Sequence, residues 1–536
     1  MKIYRLISLL IILLLLATPT YAFQLPEGEW TPVAEGIDYQ EFHFLSPDPN
    51  NVYVARMDRT NTNLTMETSV PHGGLYGSVE TVSGMAAHAE QAINYWGSTF
   101  ITPTWGARND VVVAINGSYF DFDTKIMDGG IINSGWYAKR FEDCGGFTGF
   151  GWNLNRVPFI GENIVYSPGK NIVMFPEVGE TMDIFTLNGE RNPDELVLYT
   201  PQYAENTGTN NNGVEVLVEM TRPAMLLPEP NVYATGYVRE INIRDGKTTI
   251  PFDHVVLSAS GVLSNTLLAN VSLGAEVRIS QELTSRKTGN CLTPQPDINW
   301  IKTYASVQGH YVFLKNSVIN PYADDPNAIV RNPRTAIAYN DQYIFFVVVD
   351  GRDPLVSVGM TIAELADFAL NTLGATYAVA QDGGGSSTMV VNGEVMNNVY
   401  CNNVYCIYGY RANIPLVSKQ TTPKLIDEQA QSMQRPYADD YERWVANGMM
   451  MVKVEQPVFT STFSVTQQVT LTENAYVYTG PGTNYHSLVE LPVGTTGVIL
   501  DALSKLNGVW ARNAYWWRVD FGSISGWVQE YQLSGR

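Results

Sequence analysis

The pattern of apolar and polar positions is most legible between residues 331 and 397. Thr335 to Tyr339 and Tyr343 to Val349 are apolar runs joined at Asn340-Asp341, which predicts a β-hairpin. The period then becomes helical. Ile362, Leu365, Ala366, Ala369 and Leu373 form one apolar stripe, opened by the capping box Thr361-Ile362-Ala363-Glu364 and stopped at Gly374. Thr376 to Ala380 reads as a strand again. Met389-Val390-Val391 and Glu394-Val395-Met396 flank Asn392-Gly393, a second hairpin. A strand–helix–strand unit predicts parallel strands with a right-handed crossover. Asp350 and Asp382, each just past the carboxyl end of its strand, then share one edge of the sheet, where such sheets bind ligands.

Elsewhere Val52 to Met57 and Leu64 to Thr68 read as strands, and Met85 to Trp96 as a helix opened by Ser83 and closed by Gly97. Val111 to Ile115 is wholly apolar, so a central strand, and it runs into Asn116-Gly117-Ser118-Tyr119-Phe120. Residues 207–285 look like a β-rich insertion and 398–440 like a polar insertion or flap. Residues 457–467 read as a linker and 468–536 as a small all-β barrel with four Trp. The expected class is α+β: a mixed β-sheet with crossover helices and a β-rich insertion, plus the C-terminal barrel.

The chain has 536 residues, too many for one core, and 45% are hydrophobic, which excludes wholesale disorder. A net charge of −20 argues against a nucleic-acid partner. Lys2 and Arg5 precede an apolar run from Leu6 to Ala17, and Thr20-Tyr21-Ala22 carries small residues at −3 and −1 of a cut. Residues 1–22 therefore read as a cleaved signal peptide, with residues 23–456 as the main domain of a secreted or surface-associated protein. The run is shorter than the roughly 20 residues of a membrane span, and no second run reaches that length, so stable membrane insertion is not expected. Cys144, Cys291, Cys401 and Cys406 allow three pairings. Cys401 and Cys406 are close enough for a local loop, which would leave Cys144 with Cys291. Their spacing and the six His make a zinc site improbable, and no metal or cofactor is expected.

The sharpest chemical feature is Asp382-Gly383-Gly384-Gly385-Ser386-Ser387. Successive glycines let backbone amides close on an anion, and two hydroxyls follow. A strand follows the loop and no Gly-Lys-Ser/Thr is present, so it is not a nucleotide-binding P-loop. The plain structural reading is a tight turn capped by Asp382. Asp350-Gly351-Arg352, with Arg334 at the start of the neighbouring strand, adds a carboxylate and two cations. Asn116 and Tyr119 offer an amide and an aromatic platform. His310 is a candidate acid or base, although a lone His is more often merely hydrogen-bonded.

Together these stretches resemble a known family. Asn-Pro-Arg-Thr-Ala-Ile-Ala at 332–338, Val-Val-Val-Asp-Gly-Arg at 347–352, Gly-Met-Thr-Ile-Ala-Glu-Leu-Ala at 359–366, Asp-Gly-Gly-Gly-Ser-Ser at 382–387 and Arg-Trp-Val-Ala-Asn-Gly-Met-Met at 443–450 resemble the phosphodiester glycosidases. Ala-Ile-Asn-Gly-Ser-Tyr-Phe at 114–120 is similar to the family's upstream motif. Two motifs depart from the family pattern, Ala380-Gln381-Asp382 and Ser306-Val307-Gln308-Gly309-His310. The C-terminal residues resemble a bacterial Src-homology-3-like module, through Ala475 to Tyr485, Trp517-Arg518-Val519 and Gly526-Trp527-Val528. The resemblance implies a hydrolase that splits a sugar-1-phosphodiester, with Asp382 or Asp350 as the carboxylate. Gly383, Gly384, Gly385, Ser386, Ser387, Arg352 and Arg334 would hold phosphate, and the C-terminal module would bind a cell-wall or surface polymer. Two rivals remain at this point. One is a non-catalytic glycan binder; the other is a structural Ca²⁺ site built from Asp350, Asp382 and Asp128.

Overall fold

The computed structural model describes residues 29–75, 78–96, 106–141, 148–162, 164–166, 171–223, 233–281, 283–286, 294–295, 303–400, 406–408 and 441–535. The expected signal peptide, Cys144, Cys291, Cys401, the side chain of Cys406 and most of the expected 398–440 insertion lie outside them.

The architecture is predominantly β, with 46% strand and 9% helix in several sheets. This corrects the α+β class with crossover helices. The helical period at 362–373 is real, but it yields one short helix, Ile362–Asp367, continued by a π turn, Phe368–Thr372. The capping box forms as expected, and Gly374 ends the element at φ +65°. The other expected helix ends at Ala89, short of Trp96. Its cap is Thr81, whose Oγ1 accepts from the Gly84 amide at 3.0 Å, whereas Ser83 donates backbone and side chain to Glu442.

The sheet that carries the site has eight strands, with Tyr343–Val349, Arg334–Tyr339 and Tyr377–Ala380 side by side. Arg334–Tyr339 pairs antiparallel with both neighbours, through Arg334↔Val349 and Ala336↔Ala380. The two outer strands therefore run the same way, with one strand between them, so Asp350 and Asp382 leave the same edge. Both faces are covered, which explains an unbroken apolar run. Ile344, Phe346 and Val348 join the larger core; Phe345, Val347 and Val349 pack with Ile362, Leu365 and Phe368 of the helix.

A second sheet places Ala107–Asn116 between Met389–Val391 and Gly448–Glu455, so the expected central strand is central. The 382–388 segment carries the chain from the first sheet to the second. A third sheet holds Thr303–Gly309, whose end meets the same place, since the His310 amide donates to Ala380 O at 2.9 Å. A fourth sheet of eight strands runs from Ile172–Phe175 to Glu276–Ser280, and the last sheet is built from Gln468–Leu471 to Leu533–Gly535. Residues 457–467 lie along that last sheet, with Thr460 N donating to Gly508 O and Trp510 N to Val458 O, both at 2.8 Å.

Candidate active site

Gly384–Ser386 forms one 3-10 turn directly after the strand that ends at Ala380. Its glycines are dictated by neighbours. A Cβ on Gly383 would lie 2.7 Å from Pro333 O, and one on Gly385 would lie 2.8 Å from Tyr400 O and 3.1 Å from Arg443 Nη1. Gly384 has φ +64°, and a Cβ there would lie 3.2 and 3.4 Å from the Nη2 and Nη1 of Arg352. Two guanidinium groups thus press on adjacent residues of the same turn. Gly384→Ala is expected to cost about 1–2 kcal/mol from the left-handed backbone alone and to displace Arg352. A thermal melt beside kcat/KM should show activity falling about 10-fold, consistent with one displaced charged contact.

Asp382 stands at the start of this turn and is 8% exposed. Its Oδ2 accepts from Ser386 Oγ at 2.6 Å. Burial pushes its carboxyl up to about 6, against the pull of the Ser386 bond and the Arg443 charge. Its backbone is tied on both sides: Asp382 N donates to Gly117 O at 2.9 Å, and Asn116 Nδ2 donates to Asp382 O at 2.8 Å. Asn116 Oδ1 accepts from Thr335 Oγ1 at 2.8 Å and Thr388 N at 3.1 Å. Asn116, expected to meet substrate, is occupied in holding two sheets and the loop together.

Asp350 is equally committed. Its Oδ1 accepts from Asn397 Nδ2 at 3.0 Å, and its Oδ2 from Tyr53 OH at 3.0 Å and Asn398 N at 3.2 Å. Burial pushes it up to about 6 despite these bonds. Asn397 also donates to Ser387 O at 2.9 Å, so Asp350 supports the glycine-rich loop through Asn397. Arg334 is buried, with Nε on Met360 O and Nη2 on Asn327 O and Val330 O. Arg352 donates Nε to Asn332 Oδ1 at 3.0 Å and lies over the Tyr400 ring, 4.9 Å from its centre. The His310 ring packs edge-on to Tyr119 and Tyr311, with centroids 5.2 and 4.4 Å apart, and these surroundings lower its pKa. Ser387 Oγ is buried with no partner among the described residues. Asp128 is exposed, and no group of three or more His, Cys, Asp or Glu able to hold a metal occurs among the described residues.

Three contributors were not singled out as site residues from sequence. Arg443 lies over the Phe122 ring at 4.5 Å and close to Gly385. Tyr400 lies under Arg352. Asn447 clamps the 116–118 turn, accepting from Ser118 N at 2.6 Å and donating to Ser118 O at 3.2 Å. Arg443 and Asn447 both fall within the 443–450 motif, the one signal that pointed to them.

Residues 235–409 match the phosphodiester glycosidase family model. The match spans His310, Arg334, Asp350, Arg352, the glycine-rich loop and Tyr400; Asn116, Tyr119 and Arg443 lie outside it. No curated protein matches the sequence. Among solved structures, a hypothetical protein from Synechocystis is similar at 14% identity and TM-score 0.43, covering 80% of this chain and 64% of its own. The chain thus spans less than two thirds of that relative. The zebrafish N-acetylglucosamine-1-phosphodiester α-N-acetylglucosaminidase catalytic domain, auto-inhibited by its pro-peptide, is similar at 12% identity and TM-score 0.34. It covers 80% of this chain and 84% of its own.

Proposed function

We propose that the chain hydrolyses sugar-1-phosphodiesters, breaking the bond between the anomeric carbon and the phosphate oxygen. Water adds across that bond to give a free sugar and a phosphomonoester. The family match over 235–409 supports the reaction class. The carrying observation is the Gly383–Ser386 turn, with Arg352 and Arg443 against its glycines and a buried carboxylate at its head. Guanidinium groups and backbone amides suit a phosphodiester anion. Phosphate is a good leaving group, so the chief demand is negative charge beside the oxocarbenium-like centre, and Asp382 supplies it. Asp350 positions the loop through Asn397. The proposal includes export, resting on the residue 1–22 pattern, and attachment to a surface polymer through the C-terminal sheet.

The test is a screen of chromogenic sugar-1-phosphodiesters, following free sugar and phosphomonoester together. If Asp382 acts ionised, kcat/KM falls on the acid side with an apparent pKa near 6, because protonation below that value removes the charge. Failure of every substrate would sink the hydrolase reading and leave the glycan binder. A profile that instead falls above pH 6 would assign Asp382 as a proton donor.

A further inference from the structure

The sheet edge that carries Asp350 and Asp382 also carries three loops: the one before Asn50, the one before Arg334 and the one after Asp350. They share this edge because Asn50–Asp58 and Arg334–Tyr339 both run antiparallel to Tyr343–Val349, through Val52↔Val349 and Arg334↔Val349, and so begin where it ends. The loops are bonded into one surface. Arg331 Nη1 donates to Asp48 Oδ2, Val358 N to Pro49 O at 2.9 Å, Asn51 N to Ser357 Oγ at 3.1 Å and Arg352 Nε to Asn332 Oδ1 at 3.0 Å. Gly359 lies so close to Asn332 that a Cβ there would come within 2.5 Å of its carbonyl oxygen.

Apolar side chains stand out of this surface. Leu355 is 90% exposed, Leu45 87%, Ile329 55%, Val330 52% and Val356 43%. A single exposed apolar residue is ordinary, but five on three bonded loops beside a candidate site mark a binding surface. The charges among them are already matched. Arg331 holds both Asp48 and Glu364, and Asp353 Oδ1 accepts from Leu355 N at 3.0 Å. The surface therefore offers an occupant chiefly apolar contact.

Its place relative to the glycine-rich turn identifies that occupant. A phosphodiester held at Gly383–Ser386 has two arms. The sugar arm belongs with Asp382, on the side of the Asn116–Tyr119 turn, where Asp382 N meets Gly117 O. The second arm leaves past Arg352, whose guanidinium lies against Gly384 and whose backbone opens the turn that carries Leu355 and Val356. We propose that this surface receives an apolar aglycone, so that the substrates are lipid-linked sugar-1-phosphodiesters whose alkyl or isoprenoid chain lies over Leu355, Val356 and Val330. This rests on the reading of the turn as a phosphate site. A bilayer is the competing occupant, but Arg331 and Arg352 do not outnumber Asp48, Asp353 and Glu364, so the surface lacks the basic excess that anionic membranes attract.

Calorimetric titration of the full chain with methyl, butyl and octyl phosphate, each below its micelle concentration, reads the surface without turnover. Each buried CH₂ is worth about 4-fold in Kd, so octyl phosphate should bind at least about 30-fold tighter than methyl phosphate. Leu355→Ser with Val356→Ser should erase most of that gain and leave methyl phosphate as it was. Leu273→Ser, at an exposed leucine outside these loops, should keep the gain. A melting curve checks folding, and Val330→Ser reads the same surface if the double variant does not fold. Equal affinity for methyl and octyl phosphate overturns the proposal, as does a gain that survives the double substitution or binding of none of the three. Phosphatidylcholine vesicles that bind the full chain but not the double variant, with no chain-length gain, would assign the surface to a membrane and overturn it too. Turnover of methyl and octyl sugar-1-phosphodiesters is followed in parallel, with kcat/KM expected to rise at least about 30-fold. If neither is hydrolysed while the octyl gain depends on Leu355 and Val356, the hydrolase reading fails and the apolar phosphate-ester site stands.

Discussion

Asp382→Asn should lower turnover of a sugar-1-phosphodiester by about 10² or more, while thermal stability at pH 8 stays level or rises. The two effects separate because Asp382 is buried where its charge is unfavourable to the fold. An ordinary aspartate titrates near 3.8, and burial moves this one to about 6. The folded state therefore holds a proton between those values that the unfolded state releases. Stability is lost as pH rises through that window, by up to about 3 kcal/mol once the carboxylate is ionised. Asparagine keeps the size and the acceptor for Ser386 and removes this penalty. It also removes the charge that the oxocarbenium-like centre requires. The measurement is kcat beside melting temperature at pH 5 and pH 8. A structural cap would lose activity and stability in step. Asp350→Asn supplies the contrast. Either orientation of the new amide turns an NH₂ toward a donor, Asn397 Nδ2 on one side or Tyr53 OH and the Asn398 amide on the other. That costs about 1–3 kcal/mol and loosens the Asn397 anchor of the loop, so activity should fall by about 10-fold, well short of the loss in Asp382→Asn. The reverse outcome, a folded and inactive Asp350→Asn beside an active Asp382→Asn, would transfer the charge role to Asp350.

What the sequence made legible was local. The Asn340 and Asn392-Gly393 hairpins, the Thr361/Glu364 box and the glycine-rich turn depend on residues a few positions apart, and each formed. The shared edge of Asp350 and Asp382 also follows from local order, although the strand between them did not. Class was misjudged because one helical stretch with a clear period was extended to the whole chain. The remaining strands are too short, and too often buried on both faces, to show a clean alternation. The site's supports were illegible for a different reason. Asn447 meets Ser118 across 329 positions, and Asn116 meets Asp382 across 266. Nothing in the periodicity near either partner indicates such a contact. The same holds for Arg443, whose value lies in where two sheets place it.

Removing residues 458–536 should destabilise the rest of the chain severely, lowering its melting temperature by more than about 10 °C or making it insoluble. The sequence reading of 457–467 as a linker and 468–536 as a small barrel implies the opposite, a part that could be removed without loss. The contacts at the junction decide between these outcomes. Phe252 packs against Tyr485 and Trp527, with centroids 5.3 and 5.8 Å apart. Leu506, Trp516 and Trp527 belong to the same buried cluster as Val216 and Val218. Glu219, 2% exposed, accepts from Leu503 N at 2.9 Å and Arg518 Nη1 at 2.7 Å, and Asp253, fully buried, accepts from Ser504 Oγ at 3.0 Å. Arg512 donates to Ala87 O and Glu90 O at the end of the Val82–Ala89 helix. Truncation bares the aromatic surface, at roughly 25 cal/mol per Å². It also takes Arg518 and Leu503 N from Glu219 and Ser504 Oγ from Asp253, at about 1–3 kcal/mol each, while Arg239 at 2.6 Å stays on Glu219 and His254 at 2.7 Å on Asp253. In a unit of this size one degree of melting temperature corresponds to about 1 kcal/mol, so a shift beyond about 10 °C draws chiefly on the bared aromatic surface. A milder cut separates the terms. Arg518→Met keeps the apolar packing and removes one of the two cations on Glu219, Arg239 remaining at 2.6 Å, and should destabilise by about 1–3 kcal/mol. A truncated chain that melts where the full chain does, and turns over substrate as fast, would show that the C-terminal sheet is an independent attachment after all.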